Sequence, residues 1–599
     1  MIVTDWQARH GLSASDYQTQ FDLLAHQGYR LVKVSGYCEN NQPRFAGIWY
    51  KRGGNRWQAR HGVSASAYQQ AIVDLDNQGY RPTHVSVFTI GDQLFFSAIW
   101  EQEKGLPWIA RHHLTSAEYQ QLFNELSDKG WRLRCVSGYE VGGDERYACI
   151  WDQYAGPAWQ ARHGLDAAEY QKAFNDLGSQ GYRLFQVAGY PVQGVARFAA
   201  VWEQSAGHGY KARHGIPAFD YQHEFNDTSA QGFRLADVSG YASGMSACFT
   251  TIWEDATADN AADPISVRAI PFMQKWAVPG LSMAVARLGN IIVARYFGYA
   301  NLITREIVTS STRFRIASVS KPITSSAIFK LIENNQLALT DLIFGVGARL
   351  GTTYGTLPYG PNIGNITLKH LLQHASGGWE NDSNDPMFKQ TNLTAGDLIS
   401  WTLDNQPLLD VPGHAYRYSN FGYCILGRVI ESIKRQPYVD AVRDSVLVPS
   451  GITQMTIAGN TAAERQYPEA TYYGVDLSAP YEMPVRRMDS HGGWIATPSD
   501  LLQFVMRVDG FPNPPDILSE ATVSAMTAPS TTNSGYACGW GIDGTGTRQH
   551  DGLLPGSQSV LVRTANQHEW AAVCNTGTPD NLMPLREFET LMWQVDAAL

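Results

Sequence analysis

A chain of 599 residues, 44% hydrophobic and 17% charged, is long enough for two or three domains with full-sized cores. Its net charge of −10 argues against nucleic acid and anionic membranes as partners, and no apolar run reaches membrane-spanning length. Seven cysteines are too few in this length for a disulfide scaffold.

The first 254 residues are repetitive. Trp6-Gln-Ala-Arg-His10-Gly11 returns at Trp57, in altered form at Trp108, again at Trp159 and as a variant at Tyr210, with a step of 51 residues each time. His10, His61, His112, His163 and His214 keep this phase. So do Gly28, Gly79, Gly130, Gly181 and Gly232, and Trp49, Trp100, Trp151, Trp202 and Trp253. An uninterrupted period of this kind predicts stacked copies of one supersecondary unit.

Within the unit, Trp6–His10 reads as a short strand. Ser13 reads as the cap of a helix running to about Gln27, with Tyr17, Phe21 and Leu24 at helical spacing. Gly28 marks the helix end. Tyr29–Tyr37 and Phe45–Tyr50 follow as strands. Five strand-helix-hairpin units, near 6–56, 57–107, 108–158, 159–209 and 210–254, predict an α+β repeat domain of about fifteen strands. The expected form is a curved sheet or half-barrel with helices over one side.

The repeated aromatics are read as core rather than as a sugar-binding surface. The repeated Arg-His pair is read as a hydrogen-bonding ladder between units rather than a metal array. Binding is expected where the units differ, as at the hairpin tips Glu39–Gln42, Gly91–Gln93 and Val141–Asp144. Cys135 and Cys149 fall on adjacent strands of the third unit near cross-strand register, which allows a disulfide suited to an oxidising compartment. Sequons at Asn226, Asn365, Asn381 and Asn392 add only weak support for secretion. Met1–Asp5 does not read as a signal peptide, so a secreted protein would carry its leader outside this sequence.

The small, polar stretch 255–263 reads as a linker to a second domain at 264–599. There, Ser318-Val-Ser-Lys321 stands at the start of a predicted helix that continues to about Asn335. One helical turn places the hydroxyl and the amine on one face, where a desolvated lysine can take the serine proton. Tyr418-Ser-Asn420 follows 100 residues after Ser318, and His550-Asp-Gly552, in a predicted strand, comes 132 residues beyond Tyr418. His370, His374 and His491 are read as structural, and no metal or other cofactor is expected.

The ordered motifs S-x-x-K, Y-x-N and H-x-G resemble those of the class C β-lactamase, D-aminopeptidase and esterase superfamily of serine hydrolases. The resemblance implies an α/β β-lactamase/transpeptidase-like fold over 264–599. It implies Ser318 as nucleophile, with Lys321 and a partly ionised Tyr418 sharing the general-base work. Asn420 would orient the substrate or Lys321, and the backbone N–H groups of Ser318 and Leu553 would form the oxyanion hole. His550 stands where β-lactamases carry a lysine, which points toward peptidases and esterases. The two halves together resemble fungal polyglycine hydrolases. That resemblance implies a secreted serine endopeptidase cutting Gly–Gly bonds in the linker of plant class IV chitinases. An ordered glycine strand is costly, so the repeats are expected to dock the folded part of the substrate. The alternatives are a D-aminopeptidase or esterase with an adhesive repeat domain, and a non-catalytic binding protein.

Overall fold

The computed structural model describes residues 6–599 except 52–54, 103–105, 206, 208, 245, 256–263, 475–479 and 578–584. The expected linker therefore lies, apart from Asp255, outside the described residues.

Each repeat folds as strand, helix, strand, strand. In the first, strand Trp6–Leu12 leads to helix Ala14–His26, and strands Tyr29–Glu39 and Gln42–Lys51 form a hairpin. Ser13 caps the helix by accepting from the Asp16 N–H at 3.2 Å. Gly28 ends it at φ +83°, a left-handed conformation that glycine adopts without strain. The third strand lies in the middle of each sheet and buries Trp49, Trp100, Trp151, Trp202 and Trp253 completely, each 0% exposed. At ~25 cal/mol per Å2, an indole is worth about 4–6 kcal/mol of burial, so the repeated tryptophans are the core of each unit.

The strands do not make one curved sheet or half-barrel. They form five separate three-stranded sheets closed into a ring. The second strands of neighbouring units meet around the axis, and that of the fifth unit meets that of the first. Side chains join them: the Gly36 N–H donates to Ser86 Oγ at 3.1 Å, Val87 to Ser137 at 3.0 Å and Gly189 to Ser239 at 3.2 Å. The Gly240 N–H closes the circle on Ser35 Oγ at 2.9 Å. A Cβ on Gly36, Gly138, Gly189 or Gly240 would lie 2.3–2.4 Å from Phe88, Tyr190, Tyr241 or Tyr37, respectively. An aromatic ring of the next unit thus fills the space that a direct backbone ladder would need. At one axial level the units carry Lys33, His84, Cys135, Gln186 and Asp237, and the Lys33–Asp237 ion pair, at 3.2 Å, spans the closure.

The Arg-His pair divides its bonds. His10 reaches Gln222 at 2.8 Å, His112 reaches Gln69 at 3.2 Å and His214 reaches Gln171 at 3.3 Å, each joining a unit to the helix of the preceding one. Arg9, Arg60, Arg111 and Arg162 instead donate to a carbonyl of their own strand.

Cys135 and Cys149 form no disulfide; all seven cysteines are free. A bulge between Leu133 and Cys135 shifts the register, so that Cys135 stands opposite Ile150 and Val136 opposite Cys149. One residue of slip sends the two thiols to opposite faces of the sheet. Cys135 meets His84 and the Val85 carbonyl of the second unit at 3.5 Å, while Cys149 packs with Tyr119 and Trp151.

The second domain is built on a seven-stranded antiparallel sheet. Helices Ser266–Lys275 and Leu585–Asp596 cover one face. A helical lobe around Ser320–Glu333 and Asn420–Lys434 covers the other.

A break in the ring's symmetry receives this domain. Arg30, Arg81, Arg132 and Arg183 pair with an acid of the next unit: Glu101 at 3.8 Å, Asp152 at 3.0 Å, Glu203 at 2.9 Å and Glu254 at 3.9 Å. In the first unit Tyr50 takes the acid's place. Arg234 therefore turns to its own Glu254, at 3.2 Å, and to the phenol of Tyr299 in the second domain. Beside it Leu302, Ile303 and Arg305 enter the mouth of the ring and face Lys33, His84 and Arg134 across a cavity of about 70 Å3. These contacts lie at the ends of the strands remote from the hairpin tips. The tips, roughly 30 Å away along ten-residue strands, face away from the second domain.

Candidate active site

The strand Phe314–Arg315 delivers the chain to a tight turn at Ala317–Val319, from which the helix Ser320–Glu333 continues. Ala317 has φ +46°, a strained conformation for a residue with a Cβ, immediately before Ser318. Arg315 anchors this segment by donating to the carbonyls of Pro480 and Gly459 and by lying over Tyr472 and Tyr481 at 4.4 and 5.1 Å. Tyr472 and Tyr481 in turn pack against Leu106 of the ring.

Ser318 opens into a cleft of about 790 Å3 whose walls include Tyr416, Tyr418, Asn420, Tyr536, His550, Asp551 and Leu553. Lys321 is fully buried beneath it. Its Nζ lies 2.9 Å from Ser318 Oγ, 2.8 Å from Asn420 Oδ1 and 3.3 Å from the His491 carbonyl oxygen. Desolvation lowers the Lys321 amine to about 7, against the opposing pull of Asp385 and Asp551. The neutral amine can give its two protons to Asn420 and His491, which aims its lone pair at Ser318.

Asn420 begins the helix Asn420–Lys434 and is oriented from behind, its Nδ2 donating to Asp385 Oδ2 at 2.9 Å. The other Asp385 oxygen accepts from the Met387 N–H at 2.9 Å, and burial raises this carboxyl to about 6. Tyr418 is hydrogen-bonded to Ser318, and its ring lies 4.7 Å from Lys321 Nζ. Desolvation holds the Tyr418 phenol well above its ordinary range. The expected partial ionisation is thus reversed: the lysine is the group neutralised near pH 7, and the phenol keeps its proton.

His550 and Leu553 lie on strand Arg548–Leu554. A Cβ on Gly552 would stand 2.3 Å from the Ile316 carbonyl oxygen, so glycine here lets the strand press against the Ser318 turn. Leu553 and Ser318 line the same cleft, as an oxyanion hole from their N–H groups requires. His550 is buried and lowered to about 4, by desolvation first, so its imidazole is neutral.

Three contributors carried no recognised motif. Asp385 reaches Asn420 across 35 residues of sequence. His374, read as structural, packs on Tyr418 with ring centroids 4.2 Å apart. Tyr536 hydrogen-bonds to both His374, at 3.1 Å, and His550, at 3.3 Å. His370 Nδ1 accepts from the Thr367 N–H and His374 Nδ1 from that of Ser419.

Residues 268–590 match the beta-lactamase family, and residues 3–52, 54–103, 105–154, 156–205 and 207–256 match a family described as "Polyglycine hydrolase-like, structural repeat". The chain is similar to Protein flp of Staphylococcus aureus (strain MRSA252), 24% identical over 276 residues, which are 45% of this chain and 53% of that protein. It is similar to Penicillin-binding protein 4* of Bacillus subtilis (strain 168), 25% identical over 307 residues, 47% of this chain and 64% of that protein. It thus spans between half and two thirds of the length of these relatives. Among solved structures, D-amino acid amidase from Ochrobactrum anthropi SV3, complexed with L-phenylalanine amide, aligns at 21% identity and a TM-score of 0.46, over 56% of this chain and 97% of that one. The chain belongs to the beta-lactamase family, with a serine-type hydrolase domain set behind five polyglycine hydrolase-like repeats.

Proposed function

We propose that the protein is a secreted serine endopeptidase that cleaves Gly–Gly bonds in the polyglycine linker of plant class IV chitinases. The observation that carries this reading is a Lys321 amine, lowered to about 7 and 2.9 Å from Ser318 Oγ, in a chain that also bears the polyglycine hydrolase-like repeats.

In the mechanism we infer, the Ser318 Oγ–H proton passes to neutral Lys321 as Oγ bonds to the substrate carbonyl carbon. The N–H groups of Ser318 and Leu553 hold the resulting oxyanion. The C–N bond then breaks, and the departing amine takes the proton back from Lys321 through the Tyr418 phenol. A water molecule repeats the sequence on the acyl-enzyme and frees Ser318. Beyond Gln549 the strand Arg548–Leu554 has no neighbour on its cleft side among the described strands. An extended glycine chain, which offers only backbone, fits an edge that reads backbone hydrogen bonds.

Glycine is costly to order, so remote contacts with the folded target would help. We assign these to the ring, whose Leu106 shares the Tyr472–Tyr481 wall with the nucleophile strand. The reading is tested by labelling Ser318 with a fluorophosphonate and measuring turnover of an oligoglycine peptide beside small acyl esters and D-amino-acid amides. It requires hydrolysis of oligoglycine. Turnover of the small substrates alone would return the site to a D-aminopeptidase or esterase.

A further inference from the structure

Every unit of the ring and the second domain contribute to the cavity of about 70 Å3 at the ring's mouth. Its wall takes Lys33 from the first unit, His84 from the second, Arg134 from the third, Phe185 from the fourth, Ala236 from the fifth and Arg305 from the second domain. A space of this size holds several waters or one small tetrahedral ion.

The charges around it do not balance. Arg30, Arg81, Arg132, Arg183 and Arg234 form the repeated row, but only Glu101, Asp152, Glu203 and Glu254 answer them. Tyr50 stands where the fifth acid is missing, and it lines this same cavity. Arg134 and Arg305 bring no acid of their own. Arg134 shares Asp152 with Arg81, at 2.6 Å, and Arg305 shares Glu254 with Arg183 and Arg234, at 3.5 Å. These seven named guanidinium groups thus meet four named carboxylates. Lys33 is matched by Asp237, and Arg465 by Glu306. A guanidinium does not shed its proton, and Arg30, Arg81, Arg132, Arg134 and Arg234 are buried. Positive charge held out of water without a counter-charge is costly.

Donors are available in the wall. Arg134 gives Nε–H to the Thr83 carbonyl at 3.0 Å and Nη1–H to Asp152 at 2.6 Å, while its Nη2 makes no hydrogen bond among the described residues. Lys33 carries three protons and has one ion partner, Asp237, at 3.2 Å. His84 gives Nε2–H to the Val34 carbonyl at 2.8 Å and is lowered to about 4, by burial first and then by Lys33, so its ring is neutral. Glu101 is the one carboxylate among the described lining residues, and Arg30 lies 3.8 Å from it.

We propose that this cavity binds a free oxyanion of the phosphate or sulfate class, which supplies the missing negative charge and ties the second domain to the ring. Arg305 reaches the ion from one domain, Lys33 and Arg134 from the other. Several N–H donors converging from different directions suit a tetrahedral oxyanion better than a chloride. The site is independent of the reaction at Ser318.

Thermal unfolding of the full chain is followed against potassium phosphate up to about 20 mM, with ionic strength held constant by potassium chloride. Constant ionic strength and saturation separate a site from general salting-out. Phosphate should raise the melting temperature by about 2–5 °C and saturate, and titration calorimetry should show one ion per chain. Arg305→Met leaves Glu254 with Arg183 and Arg234, and it should weaken phosphate at least about tenfold. If that variant does not fold, Lys33→Gln gives the same reading from the ring side. Lys172→Ala, whose side chain is 76% exposed on a helix of the fourth unit, should respond as the wild type does. Glucose 6-phosphate, too large for the cavity, should give no saturable shift. The absence of a saturable phosphate shift, a shift left intact by Arg305→Met and Lys33→Gln, or an equal response to glucose 6-phosphate overturns the proposal.

Discussion

Asn420 fixes Lys321: its Oδ1 accepts from the Lys321 amine at 2.8 Å while its Nδ2 is held by Asp385. The amide can therefore neither rotate nor exchange its oxygen for its nitrogen. This gives the buried lysine a defined direction for its lone pair.

The first prediction is a pH profile. Lys321 is lowered to about 7, and the base is the neutral amine, so kcat/KM should rise as pH increases through about 7 and level off above it. Lys321→Ala should abolish this limb and lower activity by about 10²–10⁴-fold. Asn420→Ala should also reduce activity, because it frees the amine and leaves Asp385 with only the Met387 N–H of its two named donors. Initial rates between pH 5 and 9 check this.

A second prediction links the same group to stability. In the unfolded chain Lys321 returns to 10.5, so between about 7 and 10.5 the unfolded state binds more protons and stability rises with pH. Below that window the folded state must bury the charge. Lys321→Met should therefore be more stable than wild type at pH 6, on the order of 3–5 kcal/mol, while being inactive. Above the window the gain from removing the amine should be gone. Thermal unfolding of both proteins across this range reads the difference.

The docking of the ring on the hydrolase domain is tested by Arg234→Ala. The substitution removes one of the partners of Tyr299, whose hydroxyl still donates to Glu254 at 2.7 Å, and leaves Glu254 with fewer charges around it, a loss of about 3–5 kcal/mol for a buried pair broken on one side. Calorimetry should show two separated transitions where the wild-type domains unfold together. A single unchanged transition would contradict the docking role.

Ring closure makes a local prediction. Gly240→Ala would place a Cβ 2.4 Å from the Tyr37 ring and force units one and five apart, costing about 1–3 kcal/mol. Alanine at Gly178, inside the helix Ala167–Ser179 and with nothing within 4 Å, should cost nothing and leave the closure intact. Denaturant midpoints of the two variants decide it.

Much of this architecture was legible in the sequence, and the reasons differ by level. The unit could be read because Ser13, Gly28 and the strand alternation act locally. Closure could not, because Gly240 and Tyr37 meet across about two hundred residues and the same residue types recur in every copy, which suits an open stack equally well. The Cys135–Cys149 disulfide is absent because the bulge at Leu133, which a sequence does not display, shifts the register. Ser318 and Lys321 were legible because one helical turn joins them. Asp385 and Tyr536 were not, since each reaches the site from a separate loop with no periodic signal. The ionisation of Tyr418 is not legible in the sequence, because it depends on desolvation, a property of the folded cleft.

The central claim, that Ser318 cuts between glycines, is tested most directly by the masses of the products. A plant class IV chitinase incubated with the protein should yield two fragments whose masses place the break inside the polyglycine linker, and Ser318→Ala should yield none. An intact chitinase after incubation with protein whose Ser318 labels with a fluorophosphonate would contradict the account, as would cleavage by Ser318→Ala.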